Sequence, residues 1–268
     1  MQALRPTAGT QTSGLLEVRG LSKSFRGLRA LEDYALDLRA GSIHGVIGPN
    51  GAGKTTLFHL LSGFLRPTSG TIRFDGQDIA GSAAYRVSRL GIGRTFQNIR
   101  LFGEMSVLEN VMVAQQRHNR SSLVATLISS PSFRRREAEL RDAAMELLEL
   151  FGLSQLRDRQ ARSLPYGDQR RLEIARAVGS KPRILLLDEP NAGMNPIETQ
   201  DLLALIRRLR DDLGITIVLV AHDIPLVMGL CYRIQVLNYG RLIAEGDPAS
   251  VRANPEVIAA YLGQARHA

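Results

Sequence analysis

Apolar and polar positions alternate over residues 15–25, LLEVRGLSKSF, and again over 34–48, YALDLRAGSIHGVIG. A period of two is what strands of a sheet require. The period then changes. In KTTLFHLLSGFLRP, Leu57, Leu60, Leu61 and Phe64 recur at helical spacing until Gly63 and Pro67 end the helix. A short strand, TIRFDG, is expected at 71–76. From about Gly103 to Ser180 the pattern reads as helical, and AELRDAAMELLELFGL sets Leu140, Ala144, Leu147, Leu148 and Phe151 along one core-facing stripe. Then come RILLLDEP at 183–190, a helix from Ile197 to about Leu213, and GITIVLVAHD at 214–223. Uninterrupted apolar runs between helices mark buried parallel strands. The outline is an α/β core interrupted by a helical block, with no internal repeat.

Composition narrows this picture. The 268 residues, 44% hydrophobic and 22% charged, suit a folded globular chain and exclude a fibrous or disordered one. The longest apolar run, ITIVLVA at 215–221, is strand-sized and far short of the roughly 18 residues of a membrane span, so membrane contact is expected to come through a partner. Cys231 is the single cysteine, which rules out an intrachain disulfide and fits a reducing compartment. Residues 1–14, with Pro, Thr, Gly and Ser and no apolar core, read as a flexible tail and not a signal peptide. The net charge of +8 comes from 34 Lys and Arg, of which Lys23, Lys54 and Lys181 are the lysines and the rest arginines. Such an excess raises nucleic acid or an anionic surface as partners. The densest clusters, FRRRE at 133–137 and RRLR at 207–210, lie in helical contexts and read as solvated faces.

The chemistry begins at GPNGAGKTT, residues 48–56, which fits G-x-x-x-x-G-K-[ST] after an apolar strand. Gly48, Asn50, Gly51, Ala52 and Gly53 would turn successive amides onto phosphate oxygens, with Thr56 in the helix start behind them. Lys54 would neutralise the β and γ phosphates, and the Thr55 hydroxyl would ligate Mg²⁺, so ATP and Mg²⁺ are the expected ligands. Such a site needs a carboxylate at the end of a buried strand. ILLLDEP supplies Asp188 for the metal shell and, one residue on, Glu189 to orient and deprotonate the attacking water. His222 stands just past another apolar strand, either as a γ-phosphate sensor or as a turn residue. Gln97, after a strand-like run, can reach the metal or the water with its amide. Phe25, ending the first strand, reads either as an adenine-stacking ring or as a core aromatic.

One stretch stays ambiguous on its own. LPYGDQRR, at 164–171, looks like a turn opening a helix, yet Tyr166, Gly167 and Asp168 also suit a phosphate grip. Taken with the 48–55 loop, Gln97, ILLLDE and His222, in that order and spacing, it resembles the ATPase subunits of ABC transporters over nearly the whole chain, about Leu15 to Gly263. GIGRTFQNIRLFGEMSVLENVMVA, DEPNAGMNPIE and RIQVLNYGRLIAEGDPASVRANPEVIAAYLG are similar to the ATP-binding subunits of branched-chain amino-acid importers. The resemblance implies a P-loop NTPase fold with a RecA-like core, an antiparallel β subdomain and a helical subdomain at about 103–180, within one domain at 15–263 followed by a short C-terminal tail at 264–268. It also implies a second ATPase subunit in a head-to-tail dimer, whose ATP would meet Tyr166, Gly167 and Asp168. Two membrane permease subunits would be reached through the Gln97 loop, and a solute-binding protein acts indirectly. The setting would be the cytoplasmic face of a bacterial membrane. The solute would be a branched-chain or related amino acid, or else urea, an amide or another small polar solute.

Within that pattern Pro165 stands where Ser is usual, Asp168 where Gln is usual and Asn195 where Asp is usual. The first loses a hydroxyl, and Asp168 is expected to cap a helix beginning near it while bringing a like charge toward phosphate. Unequal ATP sites in a pair of different ATPases are therefore expected. Two other functions compete. A nucleic-acid-linked ABC ATPase is disfavoured because the chain has neither a second ATPase domain nor a long heptad insertion. A regulatory, non-hydrolysing module is disfavoured by the presence of Glu189.

Overall fold

The computed structural model describes residues 14–116, 131–221 and 224–262. Among them, ten strands form two sheets. β1 (Leu16–Phe25), β2 (Leu28–Leu38), β4 (Ser69–Phe74) and β5 (Gln77–Asp78) make an antiparallel sheet in the order β2-β1-β4-β5. The second sheet has the order β10-β9-β3-β8-β7-β6, built from β3 (Ile43–Ile47), β6 (Ile92–Arg94), β7 (Ile184–Asp188), β8 (Thr216–Val220), β9 (Arg233–Asn238) and β10 (Arg241–Gly246). Its strands run parallel except for β10.

The alternating run at 34–48 is thus two strands in two different sheets. Residues 39–42 turn the chain, with Gly41 at φ 71°, and both halves carry the same period, so periodicity alone does not reveal the break.

The central strands explain their uninterrupted apolar sequences. In β7, Leu185 and Leu187 enter one core, packed against helices, while Ile184 and Leu186 enter another beneath the antiparallel sheet. β8 divides the same way, Ile217 and Leu219 against Val218 and Val220. A strand covered on both faces has no polar side to show.

The helices are α1 (Lys54–Leu61), α2 (Ala84–Leu90), α3 (Val107–Gln115), α4 (Pro131–Leu150), α5 (Tyr166–Gly179), α6 (Pro196–Asp211), α7 (Ile224–Leu230), α8 (Pro248–Ala253) and α9 (Pro255–Leu262). The stripe expected on α4 exists: Ala144 and Leu148, with Phe151 just beyond the helix, are buried, and Leu140 and Leu147 half-buried. Burying a Leu or Phe side chain there contributes about 1.5–3 kcal/mol. Arg134, Arg135 and Arg136 are exposed on the same helix, as are Arg207 and Arg208 on α6. Cys231, just after α7, lies beneath β3, where a Cβ added at Gly45 would come within 3.0 Å of its sulfur. Burial raises its thiol to about 12. No described helix is long and apolar enough to cross a membrane.

Candidate nucleotide site

β3, β8 and β7 are adjacent and parallel, so their carboxyl ends share one edge of the sheet, the place where open α/β sheets bind ligands. The loop at 48–53 leaves β3 there. Gly53 is the N-cap of α1 with φ 104°, and no side chain caps the helix. A Cβ on Gly53 would lie 2.5 Å from the Ala30 carbonyl oxygen, and one on Gly48 would lie 2.1 Å from that of Leu237. Only glycine lets the loop pack this closely against β2 and β9. The start of α1 offers an uncapped, positive end to an anion.

A cleft of about 420 Å³ opens above the loop, lined by Asn50 to Thr56 and closed by Leu28, Arg29, Ala30, Gln97, Glu189 and Tyr239. Lys54 is buried at its base and donates to the carbonyl oxygens of Gly48 (2.6 Å) and Pro49 (2.9 Å). Burial lowers its pKa, while the charges of Glu189 and Asp188 oppose the shift.

Asp188 ends β7 as expected. It is buried and ion-paired with Arg94 at 3.1 Å. Burial raises its pKa, with Arg94 pulling the other way and Glu189 adding to the rise. Arg94 in turn donates to the Ser62 hydroxyl at 2.9 Å and lies over the rings of Phe58, Phe64 and Phe96. Glu189 follows with φ 46°, a left-handed conformation that costs a non-glycine residue about 1–3 kcal/mol. Its amide donates to Val220 O at 2.8 Å, tying it to β8, and its carboxylate accepts from the Gln97 amide nitrogen at 3.2 Å. Gln97, expected to reach the metal or the water, thus meets the carboxylate of Glu189.

Oxygen donors in this set, the Thr55 hydroxyl, the Asp188 carboxylate and the Gln97 amide oxygen, suit a hard divalent cation. Among the described residues no group of three or more His, Cys, Asp or Glu forms an all-protein metal cage. One carboxylate beside a phosphate-shaped cleft is the arrangement of a cation that completes its shell with substrate oxygens and water.

Other predicted residues lie elsewhere. Phe25 ends β1, 41% exposed, with the Lys23 ammonium 5.0 Å from its ring centroid; it does not line the cleft, whereas Leu28 and Tyr239 do. Tyr166, Gly167 and Asp168 form the first turn of α5, outside the cleft and against the loop before α6. A Cβ on Gly167 would meet the Glu198 carboxylate at 2.7 Å, and one on Gly193 would meet the Tyr166 ring at 2.9 Å. The start of α5 corrects the expectation for Asp168. The N-cap is Pro165, extended and without a side-chain bond, so the helix begins at Tyr166 and Asp168 is in its first turn, not at the cap. Its carboxylate pairs with Arg171 at 2.7 Å, which answers its charge within the same turn. Asn195 caps α6 in a reciprocal capping box with Glu198. His222 lies outside the described residues.

Sequence reasoning missed Arg94, Arg170 and Glu173. Arg170 is wholly buried, and its guanidinium donates to Phe96 O (2.6 Å), Gln97 O (2.9 Å), Glu189 O (3.1 Å) and Glu173 Oε2 (2.7 Å). One signal was available. Gly167, Arg170, Ile174 and Val178 share a helical face, and all four are buried.

Comparison with known proteins agrees with this geometry. A sequence model of the family described as ABC transporter matches residues 31–192, and one described as branched-chain amino acid ATP-binding cassette transporter matches 241–267. The high-affinity branched-chain amino acid transport ATP-binding proteins BraF of Pseudomonas aeruginosa and LivG of Escherichia coli are each 49% identical over 251 residues, 94% of this chain and 98% of theirs. A probable LivG from Archaeoglobus fulgidus is 36% identical over 93% of this chain and 95% of its own. Among solved structures, a nucleotide-free ATP-binding cassette of an ABC transporter superposes with a TM-score of 0.80 at 30% identity, covering 92% of this chain and 98% of that one. The ADP conformation of an ATP-binding cassette gives 0.81 at 30% identity, covering 94% and 100%.

Proposed function

The chain belongs to the ABC transporter family of ATP-binding cassettes, and from that premise we propose that it binds and hydrolyses ATP to drive uptake of branched-chain or related amino acids. The observation that carries the chemical part is the hydrogen bond between Gln97 and Glu189 at the rim of a cleft floored by the Lys54 loop. The amides of 50–55 bind phosphate oxygens, and Lys54, released from its two carbonyl partners, neutralises the β and γ groups. Thr55, Asp188 and Gln97 would hold Mg²⁺, which would supply neutralisation of phosphate charge. Glu189 orients a water and accepts its proton as the oxygen attacks the γ phosphorus, and the bond to ADP breaks. Gln97 fixes the carboxylate for that task.

Residues of about 103–180 act in this reading as the helical subdomain. The partners are a second ATPase, whose ATP meets Tyr166, Gly167 and Asp168, two permease subunits reached through the Gln97 loop, and indirectly a solute-binding protein. The chain sits at the cytoplasmic face of the membrane. The solute assignment draws on the relatives' names and on the match at 241–267.

The test is Mg²⁺-dependent ATP hydrolysis and solute uptake by the assembled transporter in vesicles, with Glu189→Gln as the diagnostic variant. Expected are retained ATP binding, loss of turnover by about 10²-fold or more and loss of leucine uptake. Turnover unaffected by Glu189→Gln refutes the catalytic assignment, and ATP-driven uptake of urea but not leucine refutes the solute.

A further inference from the structure

A guanidinium with no access to water must find acceptors inside the protein or destabilise the fold. Arg170 is fully buried, and its choice of acceptors is informative. Its two terminal nitrogens reach three backbone carbonyls, those of Phe96, Gln97 and Glu189, and one carboxylate, Glu173. Glu173 turns its other oxygen to the amides of Phe96 and Arg100, both at 3.3 Å. The pair therefore clasps the 96–100 loop from both its carbonyl and amide sides.

Two of those carbonyls belong to the two residues whose side chains meet at 3.2 Å. Between the Gln97 carbonyl and the Glu189 carbonyl lies a single planar group. Glu189 also holds φ 46°, a conformation that persists only where its surroundings over-determine it. The Val220 carbonyl fixes its amide side, and Arg170 fixes its carbonyl side. A fork of rigid donors sets both distance and angle, which a lysine ammonium does not.

We propose that Arg170, backed by Glu173, is a positioning residue for ATP hydrolysis: it locks the backbones of Gln97 and Glu189 at one separation and so sets the reach of the amide to the carboxylate. The inference rests on the ATPase reading above. A buried ion pair whose role was only to hold the fold together would have no need to join the two backbones that present the polar side chains of the cleft.

The experiment measures ATP turnover of the assembled transporter carrying Arg170→Lys, Arg170→Met or Glu173→Gln, normalised to sites that bind a fluorescent ATP analogue. Normalisation removes losses due to misfolded protein. For a misplacement on the order of 1 Å, kcat is expected to fall by about 10- to 100-fold, in the order wild type, Lys, Met, with KM for ATP within about twofold. Glu173→Gln, of the same shape, carries the test if the Arg170 variants do not fold. With Gln97 already changed to Ala, the further loss from Arg170→Lys should shrink, because the two act on one geometry. An unchanged kcat per binding site, a KM that rises in step with the fall, or strict additivity with Gln97→Ala overturns the proposal. Wild-type turnover insensitive to Glu189→Gln would instead overturn the ATPase reading, so the two failures are distinct.

Discussion

Arg94→Met removes the charge facing Asp188 while keeping an apolar stem among Phe58, Phe64 and Phe96. The side chains of the pair are only 5% and 4% exposed, so solvent cannot replace the lost guanidinium. Removing one partner of such a pair costs about 3–5 kcal/mol, because the remaining carboxylate stays buried without its counter-charge. The sign with pH follows from the direction of the shift. Burial already raises Asp188 above its ordinary value, and the opposing effect of Arg94 would be gone. The folded variant then holds a proton that the unfolded chain releases, so the deficit is fully present at high pH and shrinks as pH falls toward the unfolded carboxylate value, about 3.9. Urea unfolding of the isolated chain at about pH 8 and about pH 5 measures this. Adding Asp188→Asn to Arg94→Met should recover part of the loss, since both buried charges are then absent. A loss below about 1 kcal/mol, or one that is the same at both pH values, refutes the reasoning.

Three further outcomes are expected. Gly53→Ala, forced to φ 104° with its Cβ 2.5 Å from Ala30 O, should weaken binding of a fluorescent ATP analogue at least tenfold, at about 1.4 kcal/mol per factor of ten; unchanged affinity counts against the loop as the phosphate cradle. His44, buried beside Gln235, Glu245 and Arg233, has its pKa lowered to about 4, mainly by burial. Its neutral form is the one the fold accepts, so stability should fall between about pH 6.5 and about pH 4 by up to about 1.4 kcal/mol per pH unit. That slope should flatten in His44→Leu, and urea melts with the same slope in both proteins would sink the assignment. Pro165→Ser restores a hydroxyl at the N-cap of α5, and it should raise turnover of the assembled ATPase pair if the ATP facing that helix is weakly held; no change removes the idea of unequal sites.

What was legible in the sequence is what local pattern encodes. The loop at 48–55 and Asp188 were legible because each follows an apolar strand immediately, so strand, turn and chemistry lie within a few residues. Gln97 and Glu189 were named separately, but their contact spans 92 residues of sequence and emerges only when β6 and β7 pair. Arg94 was unreadable for a related reason. Alone it looks like a strand-end surface charge, and its partner is on the neighbouring strand. Arg170 was hidden by its company, since it stands between the polar, half-buried Gln169 and Arg171 and nothing local marks it as the one that points inward. Proline misled at α5: its extended conformation made Pro165 read as turn, and the helix was placed two residues late. Phe25 was named because it ends a strand, while Leu28, at the start of β2, and Tyr239, just after β9, line the cleft from places far apart in sequence.

Cys231 gives the chain an internal clock. A thiol titrating near 12 is protonated at neutral pH, and its 5% exposure keeps alkylating reagents out, so it reacts only when α7 lifts from β3. Because it is the sole cysteine, total label incorporation times that opening with no background to subtract. The same inertness leaves the native surface blank, so a cysteine placed on any exposed position can carry a probe without first removing the one that evolution left.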